Sequence, residues 1–237
     1  ACVMTEPVLQ NVGVIPPRPG YLESLREICD RHGTLLVFDE VKTGFRSALG
    51  GYQSRCGVKP DLSVLGKAVA NGYPLGVIGG RREVMALFDD PEAARRVLIA
   101  GTYNAHPIPT AAAIATIDRL RRDNGAVYRE LEARGARLQQ GLEALFSERG
   151  LTAIVSRLGS AFCAYFMDHL PVDWHDLASH HDFALDRRYR RALLERGVFH
   201  FPLACKQGSI SAAHSDEDLA LTLRVGLDFI AELSESR

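Results

Sequence analysis

Residues 21–40 read YLESLREICDRHGTLLVFDE. The first twelve place Leu22, Leu25, Ile28 and Cys29 on one helical face, and Gly33 follows as a C-terminal stop. TLLVF at 34–38 is a continuous apolar run of strand length that ends in Asp39. Upstream, residues 2–5 read as a short strand, with PPRPG at 16–20 as a turn between. Strand, helix and buried strand in that order predict a βαβ unit. The fold class is therefore α/β, with a mostly parallel sheet flanked by helices. ACVMTEPV resembles a core strand with no polar lead-in, which predicts that the natural chain is longer and that this is its C-terminal part.

Outward from that unit, LSVL at 62–65 and LGVI at 75–78 are further strand candidates. GTYNAHP at 101–107 is a loop ahead of the alanine-rich helix PTAAAIATIDRLRR. The composition then shifts. Residues 124–149 form a long charged helix, with Leu131, Leu138, Leu142 and Leu145 turned inward and a solvated face opposite. Short strands are expected at 152–156 and 161–167, then a polar segment at 168–182 and a helix near 184–196. Two more strands are expected near 198–201 and 209–213, and a last helix at 216–233. This predicts one domain portion at 1–123, followed at 124–237 by a linking helix and a small α+β domain. No repeat or low-complexity segment interrupts it.

Composition narrows the function. At 237 residues, with 46% apolar and 24% charged residues, a packed globular core is expected. A net charge of −1 gives no basic footprint for nucleic acid. No apolar run approaches a membrane span, and no signal peptide is visible. The five cysteines, at 2, 29, 56, 163 and 205, are odd in number and widely spaced. They read as reduced thiols in a cytoplasmic protein, neither a disulfide framework nor a zinc site. His169, His175, His180 and His181 share the polar segment with Trp174. Their spacings match no common zinc pattern, so no metal site is assigned and a solvent-exposed loop is expected. The glycines at 72, 76, 79 and 80 do not form the G-x-G-x-x-G of a dinucleotide site.

Three positions carry potential chemistry. Lys67 is the one charged residue in LSVLGKAVANGYPLGVIGG at 62–80. Alone, it reads first as a surface lysine with its head in water and only second as a desolvated, nucleophilic amine. Asp39 ends a buried strand, where open α/β sheets bind ligands, but an acid there can also start a loop. Thr102 precedes a helix and can serve as a cap or as a phosphate donor. Carboxylate, amine and hydroxyl together are what pyridoxal 5'-phosphate needs: a partner for its ring nitrogen, a lysine for its aldehyde and donors for its phosphate.

At this point the sequence resembles a known family. EPV at 6–8, LLVFDEVKTGFR at 35–46, KPDLSVLGKAVANGYPLGVIGG at 59–80, GTYNAHP at 101–107 and AHSDEDLALTL at 213–223 resemble the class III pyridoxal-phosphate aminotransferases. The nearest branch is the glutamate-1-semialdehyde aminomutase-like one. The resemblance implies the pyridoxal-phosphate fold type I, with an incomplete large domain. It implies that Lys67 forms the Schiff base and moves the substrate proton, and that Asp39 partners the pyridinium. Val41 is similar to the residue packed on one ring face. Thr102 is similar to the threonine that reaches the phosphate of a neighbouring subunit, which implies a homodimer with shared active sites. Arg46 and Glu6 organise the site. The implied reaction is transamination between a small amino donor and an oxo acceptor, with intramolecular aminomutase activity or a catalytically incomplete scaffold as alternatives.

The chain also departs from the family's pattern. Gln10 and Asn11 stand where many members carry a gating glutamate, which leans toward the aminomutase branch. Ala105-His106-Pro107 replaces that branch's G-N-P turn, which leans away. SISAAH at 209–214 offers no arginine for a substrate carboxylate. The family's phosphate-cradling loop and ring-stacking aromatic precede Ala1, so a parent enzyme of roughly 400 residues is expected.

Overall fold

The computed structural model describes residues 1–235. It divides into two compact units, residues 1–7 with 18–126 and residues 8–17 with 127–237. In the first unit β1 (Cys2–Thr5), α1 (Tyr21–His32) and β2 (Leu35–Glu40) form the expected βαβ unit, with β1 parallel to β2. Helix α1 buries Leu22 and Cys29 against Leu36, Phe38 and Val58, with Leu25 at the margin. Ile28 is the exception to the predicted face and is exposed. It lies six residues on from Leu22, off the i, i+3, i+7 stripe that Leu22, Leu25 and Cys29 define.

After the short α2 (Gln53–Cys56) comes β3 (Leu62–Leu65), which is parallel to β2. Then β4 (Val77–Gly80) returns antiparallel to β3, two residues later than the sequence suggested. The sheet order is β1-β2-β3-β4, mixed but mostly parallel. The core strand expected at the start is not buried: Cys2, Val3 and Met4 are all exposed. Strand β1 pairs on one side only, at the sheet edge, so pairing hides its backbone while its side chains stay in water. Helix α3 (Arg82–Met85), a 3₁₀ turn at Ala86–Asp89 and α4 (Pro107–Arg121) complete this unit.

The second unit opens with α5 (Ala126–Glu148), which buries Leu138 and Leu142 fully and Leu131 and Leu145 in part, as its periodicity predicts. Strands β5 (Ile154–Leu158), β6 (Ala161–Tyr165) and β7 (Gly208–Ser209) form an antiparallel sheet. Helices α6 (Trp174–His180), α7 (Phe183–Glu195) and α8 (Asp216–Glu235) accompany it. The core joins Leu142, Phe146, Val155, Phe166, Leu193 and Phe229.

Residues 198–201 do not form the expected strand. Their exposure alternates as a strand's would, but among the described residues no neighbouring strand pairs with them. The segment at 168–182 is not all exposed loop either. Asp173 caps α6 through its side chain, and His181 is buried. The loop at 8–17 belongs to this unit because Tyr165 holds it. The Tyr165 hydroxyl accepts from Val14 N at 2.8 Å and donates to Val12 O at 2.9 Å. Gly13 sits between at φ +99, where a Cβ would lie 2.0 Å from that hydroxyl, so only glycine fits. Among the described residues no helix is long and apolar enough to cross a membrane.

Candidate active site

The parallel pairing of β2 with β3 builds the site. Asp39 stands opposite Val64, and Glu40 opposite Leu65, at the carboxyl ends of both strands. Crevices at such strand ends are where open α/β sheets take ligands. The chain leaves β2 at Val41 and β3 at Gly66-Lys67. A Cβ on Gly66 would lie 3.4 Å from Val41 Cγ1, so the backbone entering Lys67 runs alongside the Val41 side chain. Asp39, half-buried, accepts from Val41 N through Oδ1 at 3.0 Å. Its Oδ2 makes no hydrogen bond among the described residues. Asp39, Val41 and Lys67 are thus brought to one sheet edge.

Lys67 opens a 3₁₀ turn, Lys67–Ala70, and adopts φ 47. A side chain bearing a Cβ is strained in that left-handed region. The turn is anchored from behind, where Val69 and Ala70 are buried against Ala113 of α4, with Phe45, Leu75 and Ile117 around them. The lysine itself is not part of this apolar anchor. It is exposed, not desolvated as the sequence allowed, and it forms no hydrogen bond or ion pair among the described residues. Packing therefore fixes the backbone of Lys67 while leaving its amine accessible.

Thr102 lies on the exposed turn at 101–105, and no contact joins it to Lys67 or Asp39 among the described residues. His106 is not a free loop histidine. Its Nδ1 accepts from Ile108 N at 3.2 Å and caps α4, whose first residue is Pro107. Beside it an open cleft of about 490 Å³ is lined by Tyr73, Pro74, Tyr103, His106, Ile108 and Pro109. Arg46 is largely buried, which lowers its pKa, and its Nε donates to Lys42 O at 2.9 Å.

Two carboxylates that sequence reasoning passed over frame the site. Glu40 is fully buried. It accepts from Thr43 Oγ1 at 2.9 Å, from Gln53 N and Nε2 at 3.1 and 3.2 Å, and from Tyr52 N. It thereby ties the loop after β2 to α2. Gly51, at φ +70, lies against that carboxylate, where a Cβ would come within 2.4 Å of Oε2. Asp61, at the start of β3, accepts from Leu36 N at 2.7 Å, Arg26 Nη1 at 2.8 Å and Arg81 Nη1 at 2.9 Å. Burial alone would raise its pKa, but the Leu36 amide and the two guanidiniums outweigh burial and hold it below the usual range. Both acids lie within the motif blocks. An acid beside an apolar run was the available signal, but sequence does not tell a buried carboxylate from an exposed one.

Residues 1–204 match the family model for aminotransferase class-III. The glutamate-1-semialdehyde 2,1-aminomutase of Syntrophus aciditrophicus (strain SB) is 41% identical over 235 residues, covering 98% of this chain and 53% of that protein. The glutamate-1-semialdehyde 2,1-aminomutase 2 of Brevibacillus brevis is 40% identical over 223 residues, covering 94% and 51%. Among solved structures, an omega-transaminase from Sphaerobacter thermophilus superposes with a TM-score of 0.87 at 30% identity, covering 98% of this chain and 52% of that one. A glutamate-1-semialdehyde-aminomutase from Pseudomonas aeruginosa PAO1 gives 0.86 at 29%, with the same coverage. The chain spans about half the length of the relatives it matches. With the family model matched across most of its length, the chain belongs to the class-III aminotransferases.

Proposed function

We propose that this chain carries the catalytic lysine of a pyridoxal-phosphate-dependent enzyme that moves an amino group between small molecules. The observation that carries the proposal is the β2–β3 register, which sets Asp39 and Lys67 at adjacent strand ends with Val41 between. The residues fit the cofactor chemically. Asp39 keeps one carboxylate oxygen free for a protonated ring nitrogen. Val41 offers an apolar surface to one ring face. Lys67 presents a primary amine that is exposed and has no partner among the described residues. Bound there, pyridoxal phosphate supplies the electron sink that lets a proton leave an amino-bearing carbon.

The chain's own residues do the rest. Lys67 Nζ would hold the cofactor through its aldehyde group, and its free amine would hold and return the substrate proton. The negative charge of Asp39 favours the protonated ring nitrogen. Glu40 and Arg46 organise the loop between them. Thr102, exposed on its turn, is open to the phosphate bound by a second copy, which supports a homodimer with shared sites. The region to residue 123 serves as the cofactor-binding part and the remainder as a smaller domain. Five unpaired cysteines support a cytoplasmic setting.

Transamination from an amino donor to an oxo acceptor is the main reading. The 41% identity to an aminomutase over nearly the whole chain favours a second, transfer between adjacent carbons of one molecule. Mixing the chain with pyridoxal phosphate and recording its absorbance tests the lysine assignment. A new band, absent in Lys67→Ala and fixed to the protein by borohydride, is expected. No difference between wild type and variant defeats the assignment and leaves a scaffold role. In the parent enzyme, turnover without any 2-oxo acid separates the aminomutase from the transaminase.

A further inference from the structure

The second unit carries a cluster outside the site above. His169 follows β6 on the loop at 168–172, and Asp176 and His180 lie one turn apart on α6. His169 Nε2 lies 3.0 Å from Asp176 Oδ1 and 3.3 Å from Oδ2, and His180 Nδ1 lies 2.9 Å from the same Oδ1. One ligand atom from each residue falls within 4.8 Å of the others. The two rings meet edge to face at 5.1 Å.

The surroundings orient these atoms. Asp168 Oδ1 stands 2.6 Å from the other nitrogen of His169, Nδ1. His169 thus stands between two carboxylates, Asp168 at Nδ1 and Asp176 at Nε2, and an entering cation would take the place of the Nε2 proton. Val172 N donates to Asp176 Oδ2 at 3.0 Å, which leaves Oδ1 toward the two imidazoles. His180 Nδ1 also lies 2.9 Å from Asp176 O, so moving its proton to the outer nitrogen turns it into a ligand as well.

We propose that His169 Nε2, Asp176 Oδ1 and His180 Nδ1 form a binding site for a borderline divalent transition ion such as zinc, with Asp168 as the outer carboxylate that orients His169. Two ligands 2.0–2.1 Å from a tetrahedral ion stand about 3.3 Å apart, and each imidazole nitrogen lies 2.9–3.0 Å from Asp176 Oδ1. The Asp168–His169 pair supplies the carboxylate–histidine arrangement that fixes tautomer and ring direction in metal sites. Both histidines are half-exposed, with side chains 42% and 54% accessible, so an ion can enter and keep a water in the fourth position. The bound ion ties the loop after β6 to α6.

The buried group His181, Asp186 and Cys205 is also close enough to hold an ion, but its chemistry opposes one. Phe166 N donates to His181 Nδ1, and His181 Nε2 and Cys205 N both meet Asp186 Oδ2. The Arg190 guanidinium takes Asp186 Oδ1 at 2.6 Å and already supplies the cation.

The test is zinc competition against a chromophoric chelator on the untagged chain, with circular dichroism to confirm that each variant folds. One zinc per chain is expected. His169→Ala and His180→Ala each weaken it at least tenfold, and Asp168→Asn weakens it by about 10-fold or more. Cys205→Ser leaves it unchanged, and cobalt substitution gives no thiolate charge-transfer band. The proposal is overturned by no stoichiometric binding, by unchanged affinity in the His169→Ala/His180→Ala double variant, or by loss of the ion in Cys205→Ser.

Discussion

Lys67 shows how a single residue is prepared by strain. Its φ of 47 places a Cβ-bearing residue where glycine is preferred. The left-handed conformation costs about 1–2 kcal/mol for an L-residue. It persists because Val69 and Ala70 anchor the following turn under α4. The side chain therefore leaves the backbone in a direction set by the fold. Replacing it with glycine should release that strain. Lys67→Gly is expected to raise the urea midpoint, worth about 1 kcal/mol, while eliminating the pyridoxal-phosphate absorbance change. An unchanged or lowered midpoint would mean that the left-handed backbone carries no strain here.

Elements place the remaining groups. The C-terminal end of β2 supplies both Asp39, directed to the candidate site, and Glu40, directed inward, because successive strand residues point to opposite faces. Glu40 accepts from the Tyr52 and Gln53 amides and the Thr43 hydroxyl. Glu40→Ala removes the acceptor and leaves several donors buried without one, each costing about 1–3 kcal/mol. A loss of about 3 kcal/mol or more in chemical denaturation is expected, together with faster proteolysis in the loop between β2 and α2. A loss below 1 kcal/mol would show that water replaces the carboxylate easily.

Across the molecule, titration should expose a network joining α7 to the chain after it. Arg190 is almost fully buried and donates through Nη1 to His200 Nδ1 at 2.9 Å, to Phe201 O at 3.2 Å and to Lys206 O at 2.8 Å. Burial, then the neighbouring guanidinium, lower the His200 pKa to about 4. An unfolded histidine titrates near 6.5. Between those values the unfolded chain binds the extra proton and the folded one does not, so stability is full above about pH 6.5 and falls toward pH 4. The loss is on the order of 3 kcal/mol by pH 4. His200→Gln should flatten denaturation midpoints between pH 7 and 5; a wild-type slope retained in the variant would assign the effect elsewhere. Asp186 adds to the loss at still lower pH. Burial would raise its pKa, but His181, Arg190 and the Cys205 amide together keep it low.

Periodicity and short motifs were enough to read the βαβ start, the inward leucines of α5 and the bounds of α1. Those features are local: 3.6-residue spacing, apolar runs and turn residues act within a few positions of the chain. Exposure and partnership were not legible. The first strand was expected in a core and stands at a sheet edge. Residues 198–201 have strand-like alternation but no neighbour to pair with. The histidines at 169–181 looked like one exposed loop, yet folding buried His181 and turned His169 and His180 toward one carboxylate. Each outcome depends on what lies across space from a residue, and a residue's neighbours in space are set by the register of β2 on β3 and by the packing of the helices, not by spacing along the chain.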